Sequence, residues 1–338
     1  MLRAQRETGY ANSSFGDCGL SALALWTVGP GRAELKPAEP GPLAEGALRV
    51  RALMSGISRG TESLVFHGRV PSSEWQRMRC PFQEGAFPYP VKYGYAMVGV
   101  VQDGPSDRIG QRVFSLHPHQ SVFDLPAASA VPVPDAIPTA RAVLAPQMET
   151  ALNANWDAGQ VEGRVAVVGG GVIGLLTAYL AARTAEVTLV DVNPARRAVA
   201  EGLGLAFALP GDGPRDCDLV FHASGTGEGL DLALGLCAFE ATVVELSWFG
   251  DKPVSVSLGG AFHSQRLTLK ASQVGSVAPT HRGAYDYRRR LTEALSLCAD
   301  PRLDVLVQAS TPLAEMPSRM AAILAAPDTL CHLIDYPE

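Results

Sequence analysis

The segment VAVVGGGVIG, Val165 to Gly174, decides the fold of this chain. Its four leading apolar residues predict a buried strand, and the apolar residues that follow Gly174 predict a helix. The three glycines between them have the spacing G-x-G-x-x-G, which is typical of a dinucleotide-binding turn. In such a turn Gly169 permits the tight bend, Gly171 leaves room for a pyrophosphate, and Gly174 lets the helix pack against its strand.

A carboxylate ends the next predicted strand, EVTLVD, at Asp191. It follows Gly169 at about the 20-residue interval expected of a dinucleotide-binding domain. A carboxylate there accepts hydrogen bonds from the ribose hydroxyls of NAD(H) and repels the 2′-phosphate of NADP(H). We therefore expect NAD(H), and Arg196 and Arg197 leave NADP(H) as the alternative because arginine binds phosphate well. The competing interpretation is a glycine-rich turn in a domain without a cofactor.

Two small residues complete the predicted cofactor site. Ala223 and Ser224 follow the apolar run DLVFH, where the backbone has to approach a bound nucleotide closely. An ordinary turn would explain these two residues almost as well. The predicted cofactor contacts are Gly169, Gly171, Val172, Ile173, Gly174, Asp191, Arg196, Ala223 and Ser224.

The rest of the chain shows two kinds of sequence pattern. Residues 22 to 133 contain short alternating apolar runs separated by glycine and proline, which predict a β-rich unit. Residues 139 to 158 have apolar residues at helical spacing and predict a linking helix. Strands and helices then alternate over residues 164 to 274, a pattern typical of a parallel sheet with crossover helices. The end of the chain reads helix, strand, helix, strand, with the first of these strands at LDVLVQ, residues 303 to 308.

Composition excludes several classes of function. The chain has 338 residues, which favours two domains, and a net charge of −6 without a long basic run, which disfavours nucleic acid as a partner. No apolar stretch reaches the roughly 18 residues of a membrane span. The six scattered cysteines include no CxxC pair, so we expect reduced thiols and a cytoplasmic protein. Residues 1 to 21 are polar and are predicted to form a loose tail.

The order of these units resembles the medium-chain dehydrogenase/reductase superfamily, over about residues 22 to 336. The resemblance implies an α/β fold with a GroES-like β-rich catalytic domain at residues 22–145 and 283–338. It also implies a Rossmann domain with a doubly wound parallel sheet at residues 146–282, and an active site in the cleft between the two domains. The motifs that carry it are GALRVRALMSGISRGTE, PVKYGYAMVGVV, GQRVFSL, VAVVGGGVIG with EVTLVDVNPARR, and TLCHLIDY.

Three positions at which zinc-dependent members place metal ligands are changed here. A ligand cysteine in a GIC segment is replaced by Ser58, and the histidine of a GHE segment is replaced by Tyr95. The glutamate of a Glu-Pro pair on the linking helix is replaced by Ala145. Catalytic zinc requires three nitrogen, sulfur or carboxylate ligands, and the family's cysteine-rich structural-zinc lobe is missing as well. We therefore predict no metal site and a zinc-free enzyme, similar to the subgroup that contains bacteriochlorophyllide a dehydrogenase.

Without a metal, hydrogen-bond donors have to stabilise the substrate oxygen during hydride transfer. The resemblance places Thr61 at the relay hydroxyl of the family and Tyr95 in the cleft, so these are the first catalytic candidates, with Ser58 as a third hydroxyl. Glu149 on the linking helix is a candidate acid or base, or else the partner of a nearby basic group. The alternative for Ser58 and Thr61 is that they cap the helix that follows, with Glu62 in its first turn.

Other polar residues near these motifs have simpler interpretations. We expect Glu62 to bind Arg59 or another neighbour. His117 and His119 lie two residues apart around a proline with no third ligand nearby, so they are predicted to be surface or loop histidines.

The resemblance implies a reaction type but not a substrate. A zinc-independent, NAD(H)-linked interconversion of a secondary alcohol and a ketone is the leading hypothesis. The alternatives are an NAD(P)H-dependent reductase of an enone or quinone, and a catalytically silent dinucleotide-binding protein. A bulky or cyclic small-molecule substrate is expected because aromatic residues flank the cleft, although they could instead attach a long loop to the core. These aromatics are Trp75, Phe82, Phe87, Tyr89, Trp248 and Phe249.

The segment PVSVSL, Pro253 to Leu258, alternates like an exposed edge strand, which proteins normally cover. Members of the superfamily commonly pair this edge of the Rossmann sheet with a second subunit. We therefore expect a homodimer.

Overall fold

The computed structural model describes residues 22–337, and the predicted tail at residues 1–21 lies outside this range. Within it the chain forms seventeen strands and eight helices. The strands are β1 (Leu23–Gly29), β2 (Arg32–Pro37), β3 (Ala47–Ile57), β4 (Glu84–Gly85), β5 (Val91–Lys92), β6 (Met97–Asp103), β7 (Arg112–Ser115), β8 (Val122–Pro126), β9 (Val131–Pro132), β10 (Arg164–Val168), β11 (Glu186–Val190), β12 (Ala206–Ala208), β13 (Cys217–His222), β14 (Cys237–Glu245), β15 (Thr268–Ala271), β16 (Ala309–Pro312) and β17 (His332–Asp335). The helices are α1 (Arg59–Phe66), α2 (Thr139–Ala142), α3 (Ala145–Ala158), α4 (Val172–Ala181), α5 (Arg196–Gly202), α6 (Gly227–Leu236), α7 (Tyr287–Leu297) and α8 (Met316–Ala325).

The predicted parallel sheet has six strands in the order β12-β11-β10-β13-β14-β15. Every pair in it is parallel, and residues 165–168 of the central strand β10 are all buried because helices cover both faces. Strand β10 pairs with β11 on one side and with β13 on the other, so the strand order reverses between β10 and β13. Ligands bind such sheets in the crevice at the carboxyl ends of these two strands.

The β-rich unit contains a seven-stranded sheet and a four-stranded sheet. Strand β3 is the centre of the larger sheet and pairs with β6, β8 and β17 in antiparallel fashion. Because β17 comes from the far end of the chain, the two ends of the sequence build one sheet. The predicted α/β class, with a GroES-like unit beside a doubly wound parallel sheet, is confirmed.

The linking helix is interrupted. In place of one helix over residues 139 to 158, the chain forms α2 and α3 with a break at residues 143 and 144. Pro146 lies in the first turn of α3 and has no amide hydrogen to donate to the Ala142 carbonyl, so the run of helical hydrogen bonds is interrupted there. Helix α3 then packs against α4 and α7.

Two predicted strands are wrong. Residues 301–306 form a 3₁₀ helix, in which Leu303 and Leu306 lie three positions apart and are both buried. Residues 253–257 form no strand, since the amide of Ser257 donates to the Asp231 side chain on α6 instead of to a neighbouring strand. The exposed edge of the parallel sheet is β15.

None of the helices within residues 22–337 has the length and apolar character that crossing a membrane requires. The five cysteines in that range are buried free thiols.

Candidate active site

The glycine turn has the geometry that its spacing predicts. Gly169 has φ +110°, and a Cβ there would lie 2.6 Å from the amide nitrogen of Ser224. A Cβ on Gly174 would lie 1.8 Å from the carbonyl oxygen of Gly169, so only glycine lets α4 approach this closely. A Cβ on Gly171 would meet nothing within 4 Å. Gly171 therefore borders open space at the start of α4, where the helix amides of Val172 and the residues after it favour a phosphate group.

Asp191 contacts this turn. Its Oδ2 accepts a hydrogen bond of 2.5 Å from the amide of Gly170, and its Oδ1 accepts one of 2.7 Å from Asn193. The buried guanidinium of Arg196 donates to the backbone oxygens of Pro327 and Asp328, at 2.6 and 3.2 Å, and burial lowers its pKa. The carboxylate thus contacts the predicted nucleotide turn. The Arg196 stem borders the same turn, since a Cβ on Gly170 would lie 3.1 Å from its Cγ, but its guanidinium is directed to the backbone oxygens.

The three hydroxyl candidates lie together. Strand β3 pairs with β6, and beyond the last strand pair the Gly56 amide still donates to the Ala96 carbonyl at 2.9 Å. This brings the next residues together, and the Tyr95 hydroxyl donates to the Ser58 Oγ at 2.6 Å. Thr61, in the first turn of α1, is close enough to Tyr95 to lower its pKa. We call Ser58, Thr61 and Tyr95 the hydroxyl cluster.

Burial raises the pKa of Tyr95 to about 12, although its two hydroxyl neighbours, Ser58 and Thr61, oppose this increase. The phenol is therefore protonated at neutral pH and is a hydrogen-bond donor. The capping interpretation of Ser58 is wrong, because its side chain makes no capping hydrogen bond to α1. The hydroxyl faces Tyr95 instead.

The donor set does not fit a catalytic zinc ion. Two of the three relevant positions hold Ser58 and Tyr95, whose oxygens are hydrogen-bonded to each other, and the third holds the buried methyl group of Ala145. Burial raises the pKa of the Cys80 and Cys331 thiols to about 12, which disfavours the thiolate form that binds metals. No group of three or more His, Cys, Asp or Glu side chains with metal-binding geometry occurs within residues 22–337.

A buried polar chain lies directly beneath the hydroxyl cluster, and the sequence did not reveal it. The Glu62 Oε1 accepts from the Ser58 amide at 2.7 Å, and its Oε2 lies 3.0 Å from the His119 Nε2. The His119 Nδ1 is 2.8 Å from the Ser55 Oγ, which is 2.8 Å from the Tyr336 hydroxyl. These contacts join four distant parts of the chain, so no local spacing could indicate them.

Two expectations for this region are corrected in part. His117 and His119 lie in the loop that follows β7, but they are 4% and 1% exposed and are not surface residues. His117 stacks on Phe123 with ring centroids 3.8 Å apart, and burial lowers its pKa to about 3. Arg59 is not the partner of Glu62, because its guanidinium donates to the Ala326 oxygen at 2.6 Å, and Glu62 binds a neighbour, the Ser58 amide.

A second polar chain follows the strand ends of the parallel sheet. The His222 Nδ1 lies 2.6 Å from Glu245, and its Nε2 lies 2.6 Å from the Ser224 Oγ. This is the order of a nucleophile, a base and an acid. However, His222 is fully buried, and the Ser224 Oγ points to the start of α6, only 2.1 Å from where a Cβ on Gly229 would lie. The chain therefore fixes the loop of Ala223 and Ser224 against the glycine turn.

The parallel sheet meets the hydroxyl cluster through the segment that follows β14. Trp248 and Tyr95 pack against one apolar cluster that contains the buried Phe87 and Tyr93. The Asp251 amide also donates to the Arg69 carbonyl at 3.1 Å, just beyond α1. The predicted cofactor edge and the predicted catalytic residues are thus neighbours in space.

Most of the aromatic residues of the long loop serve to hold it. Phe87 is buried, the Tyr89 hydroxyl donates to the Phe66 carbonyl at 3.2 Å, and Phe82 stacks on His117. Trp75 donates to the Val70 carbonyl at 3.0 Å and, like Trp248, is only partly buried.

Glu149 is paired with a cation. The Arg290 Nε on α7 donates to the Glu149 Oε1 at 2.9 Å, and both side chains are buried. Arg290 also donates to Asn153 at 2.6 Å and to the backbone oxygen of Ser276 at 3.2 Å. Of the two interpretations of Glu149, these contacts favour the ion-pair partner.

Comparison with solved structures identifies the architecture. A 2R,3R-butanediol dehydrogenase of Bacillus subtilis superposes with a TM-score of 0.73 at 18% identity, over 94% of this chain and 100% of the other. A putative zinc-binding dehydrogenase of Sinorhizobium meliloti bound to NADP superposes with a TM-score of 0.74 at 20% identity, over 93% of this chain and 99% of the other. An alcohol dehydrogenase of Escherichia coli complexed with NADH superposes with a TM-score of 0.72 at 16% identity, over 93% of this chain and 99% of the other.

This chain has the medium-chain dehydrogenase fold. No family model matches its sequence. An L-threonine 3-dehydrogenase of Rhizobium rhizogenes is 31% identical over 112 residues, which are 32% of this chain and 32% of that protein. The match therefore spans about a third of the relative's length. In this chain the fold places the parallel sheet beside the hydroxyl cluster.

The open space at Gly171 generates a prediction. Gly171→Val should weaken NADH binding at least about tenfold, because the added side chain would occupy the room left for the pyrophosphate. Its φ of −73° suits any residue, so the melting temperature should change by no more than a few degrees. Titration calorimetry with NADH and thermal unfolding measure both quantities. Unchanged affinity in the folded variant would show that the nucleotide does not bind at this turn.

Proposed function

We propose that this protein is a zinc-independent, NAD(H)-linked oxidoreductase that interconverts a secondary alcohol and a ketone. The observation that carries the proposal is the 2.6 Å hydrogen bond between Tyr95 and Ser58, which stand where zinc-dependent relatives place two ligands. This contact supports placing the protein in the subgroup similar to bacteriochlorophyllide a dehydrogenase, because hydroxyl donors would take the place of the metal ion beside the reacting oxygen. The five buried free thiols support a cytoplasmic location.

Ketone reduction needs a hydride at the carbonyl carbon and a proton at the carbonyl oxygen. Bound NADH supplies the hydride. On substrate binding, Tyr95 would turn its hydrogen bond from the Ser58 Oγ to the substrate oxygen and then transfer its proton, since its phenol is protonated and is a stronger acid than the product alcohol. Ser58 and Thr61 would return a proton to the phenolate from solvent. We propose a structural role for Glu149, because its carboxylate already binds Arg290.

NAD(H) is the proposed nucleotide. The Asp191 carboxylate contacts the glycine turn, where it would accept from ribose hydroxyls and repel a 2′-phosphate. The Arg196 guanidinium is held by backbone oxygens, and that of Arg197 lies over the Phe207 ring at 4.8 Å. Both arginines already have partners, which disfavours the NADP(H) alternative.

A bulky or cyclic substrate remains the proposed class. The partly buried rings of Trp75 and Trp248 flank the apolar cluster that also contacts Tyr95, and such faces suit a flat or cyclic molecule. We retain the domain boundaries 22–145 with 283–338 and 146–282, because they divide the chain between its antiparallel and parallel sheets.

The hydroxyl cluster generates a first test. Tyr95→Phe should lower kcat for ketone reduction by about 10²-fold to 10³-fold, the usual cost of losing one oriented donor or general acid, while NADH affinity stays unchanged. Tyr93→Phe is the matched control, because Tyr93 packs in the same apolar cluster and should leave kcat unaltered. The assay follows NADH across a panel of cyclic ketones, secondary alcohols and enones.

Metal content is measured on the same dialysed preparation. Turnover should persist without zinc and in the presence of a chelator. Stoichiometric zinc that is needed for activity would contradict the proposal, as would turnover of enones but of neither alcohols nor ketones. Tight NADH binding with no turnover in the whole panel would favour a silent binding protein.

The raised pKa of Tyr95 predicts opposite pH dependences for the two directions. Reduction uses the phenol, which remains protonated well above neutral pH, so its kcat/KM should be flat from about pH 7 to 9. Oxidation uses the phenolate, whose fraction rises tenfold per pH unit below a pKa of about 12, so its kcat/KM should rise about as steeply. An oxidation profile that levels off below about pH 9 would indicate a different base.

We also propose a homodimer formed through β15. This strand is the exposed edge of the parallel sheet, and Leu269 within it is 38% exposed. Light scattering at micromolar concentration should give twice the chain mass, and Leu269→Lys should shift the mass toward one chain because it places a charge at the interface. A mass of one chain for the unaltered protein would contradict the dimer.

A further inference from the structure

Glu62 is a buried carboxylate that the proposed chemistry does not use. Its residue is 4% exposed, and within residues 22–337 His119 is the only basic side chain that forms an ion pair or hydrogen bond with it. Arg59, three residues earlier, is directed to the backbone oxygens of Ala326 and Pro327. A buried carboxylate is costly unless hydrogen bonds and nearby dipoles stabilise it, so the contacts of Glu62 determine whether it carries a charge.

The hydrogen-bond donors of this polar chain can all point toward the Glu62 carboxylate. Burial raises the pKa of Tyr336 far above its ordinary value, so its hydroxyl is protonated and can donate to the Ser55 Oγ. The Ser55 hydroxyl then donates to the His119 Nδ1, and the His119 Nε2–H donates to Glu62. The carboxylate also accepts the Ser58 amide and lies in the first turn of α1, where the helix dipole favours an anion.

Space for the imidazole comes from Gly94. This residue has φ +123°, and a Cβ on it would lie 2.9 Å from the His119 Nε2. Glycine therefore allows His119 to reach Glu62 from the loop that follows β7, directly behind Tyr95.

The charge of Glu62 faces the hydroxyl cluster. Its Oε1 holds the Ser58 amide at 2.7 Å, and the Ser58 Oγ accepts the Tyr95 hydroxyl at 2.6 Å. The other titratable groups around Tyr95 are Cys80 and Tyr93, and burial raises the pKa of the thiol to about 12 and that of the phenol well above 10. Both are neutral near pH 7, which leaves the carboxylate as the charged neighbour of the phenol.

We propose that Glu62, oriented by His119, is a positioning residue that holds Ser58 under Tyr95 and whose negative charge keeps the phenol in its hydrogen-donating form. This inference rests on the proposed function. A metal ion at the same place would favour a negatively charged oxygen, whereas a carboxylate disfavours one. The carboxylate therefore favours the proton-donating form of Tyr95 at neutral pH.

Glu62→Gln tests the charge with little change in shape. The amide oxygen can still accept from the Ser58 amide, and the other His119 tautomer can accept from the amide nitrogen. The Tyr95 midpoint is the pH at which half of its phenol is ionised. It is measured from tyrosinate absorbance after rapid pH jumps. The absorbance of the same protein carrying Tyr95→Phe is subtracted, so that only Tyr95 contributes. Removing the charge should lower this midpoint by about one pH unit. The pH at which the rate of alcohol oxidation levels off should fall by the same amount, because it reports the same phenol.

Two controls separate charge from structure. Ser55→Ala interrupts the polar chain beyond His119 but retains the carboxylate, so the Tyr95 midpoint should not move. In the unaltered protein the midpoint should lie near 12, a measurement that does not depend on whether the Glu62 variant folds. Equal midpoints with and without the carboxylate, or a midpoint below about 11 in the unaltered protein, would overturn the inference.

The midpoint does not depend on finding a substrate. A lowered midpoint in Glu62→Gln together with unaltered turnover in Tyr95→Phe would contradict the proposed function and leave the electrostatic role of Glu62 supported.

Discussion

The antiparallel pairing of β3 with β6 is the constraint on which the candidate site depends. The hydrogen bond between the Gly56 amide and the Ala96 carbonyl fixes the register at the ends of both strands. A slip of one residue would turn either Ser58 or Tyr95 to the opposite side of the sheet. Because the register is held, the two hydroxyls meet at 2.6 Å, although 37 residues separate them in the sequence. The rest of the site is arranged around this contact.

The polarity of the site is the reverse of what a metal ion would produce. A zinc ion stabilises negative charge on the substrate oxygen as a Lewis acid. Here the nearest charge is the Glu62 carboxylate, and the Tyr95 phenol has a raised pKa. A site of this kind stabilises the oxygen by donating a hydrogen bond instead of by compensating its charge. The sign of the local charge thus matches a phenol that donates a hydrogen bond.

Two other networks hold the elements around the parallel sheet together. The chain from Glu245 through His222 to Ser224 fixes a loop against the glycine turn. Arg290 joins α7 to α3 through Glu149 and also binds the backbone of the segment that follows β15. The Arg290–Glu149 pair is buried, and breaking such a pair typically costs several kcal/mol. Their role is to limit movement between neighbouring elements, which is a different task from chemistry.

The sequence by itself determined the nucleotide domain and the types of the catalytic candidates. Glycine spacing, apolar periodicity and the position of Asp191 are local signals, and local signals survive in a single sequence. Only the tertiary structure decided the partners of Glu62, His119, His222 and Arg290, because their contacts join residues from 23 to 141 positions apart. The break in the linking helix has a local signal in Pro146, which the prediction of a single helix did not use. The 3₁₀ helix at residues 301–306 has none, because burial against distant elements selects among backbone conformations that the local pattern alone does not distinguish.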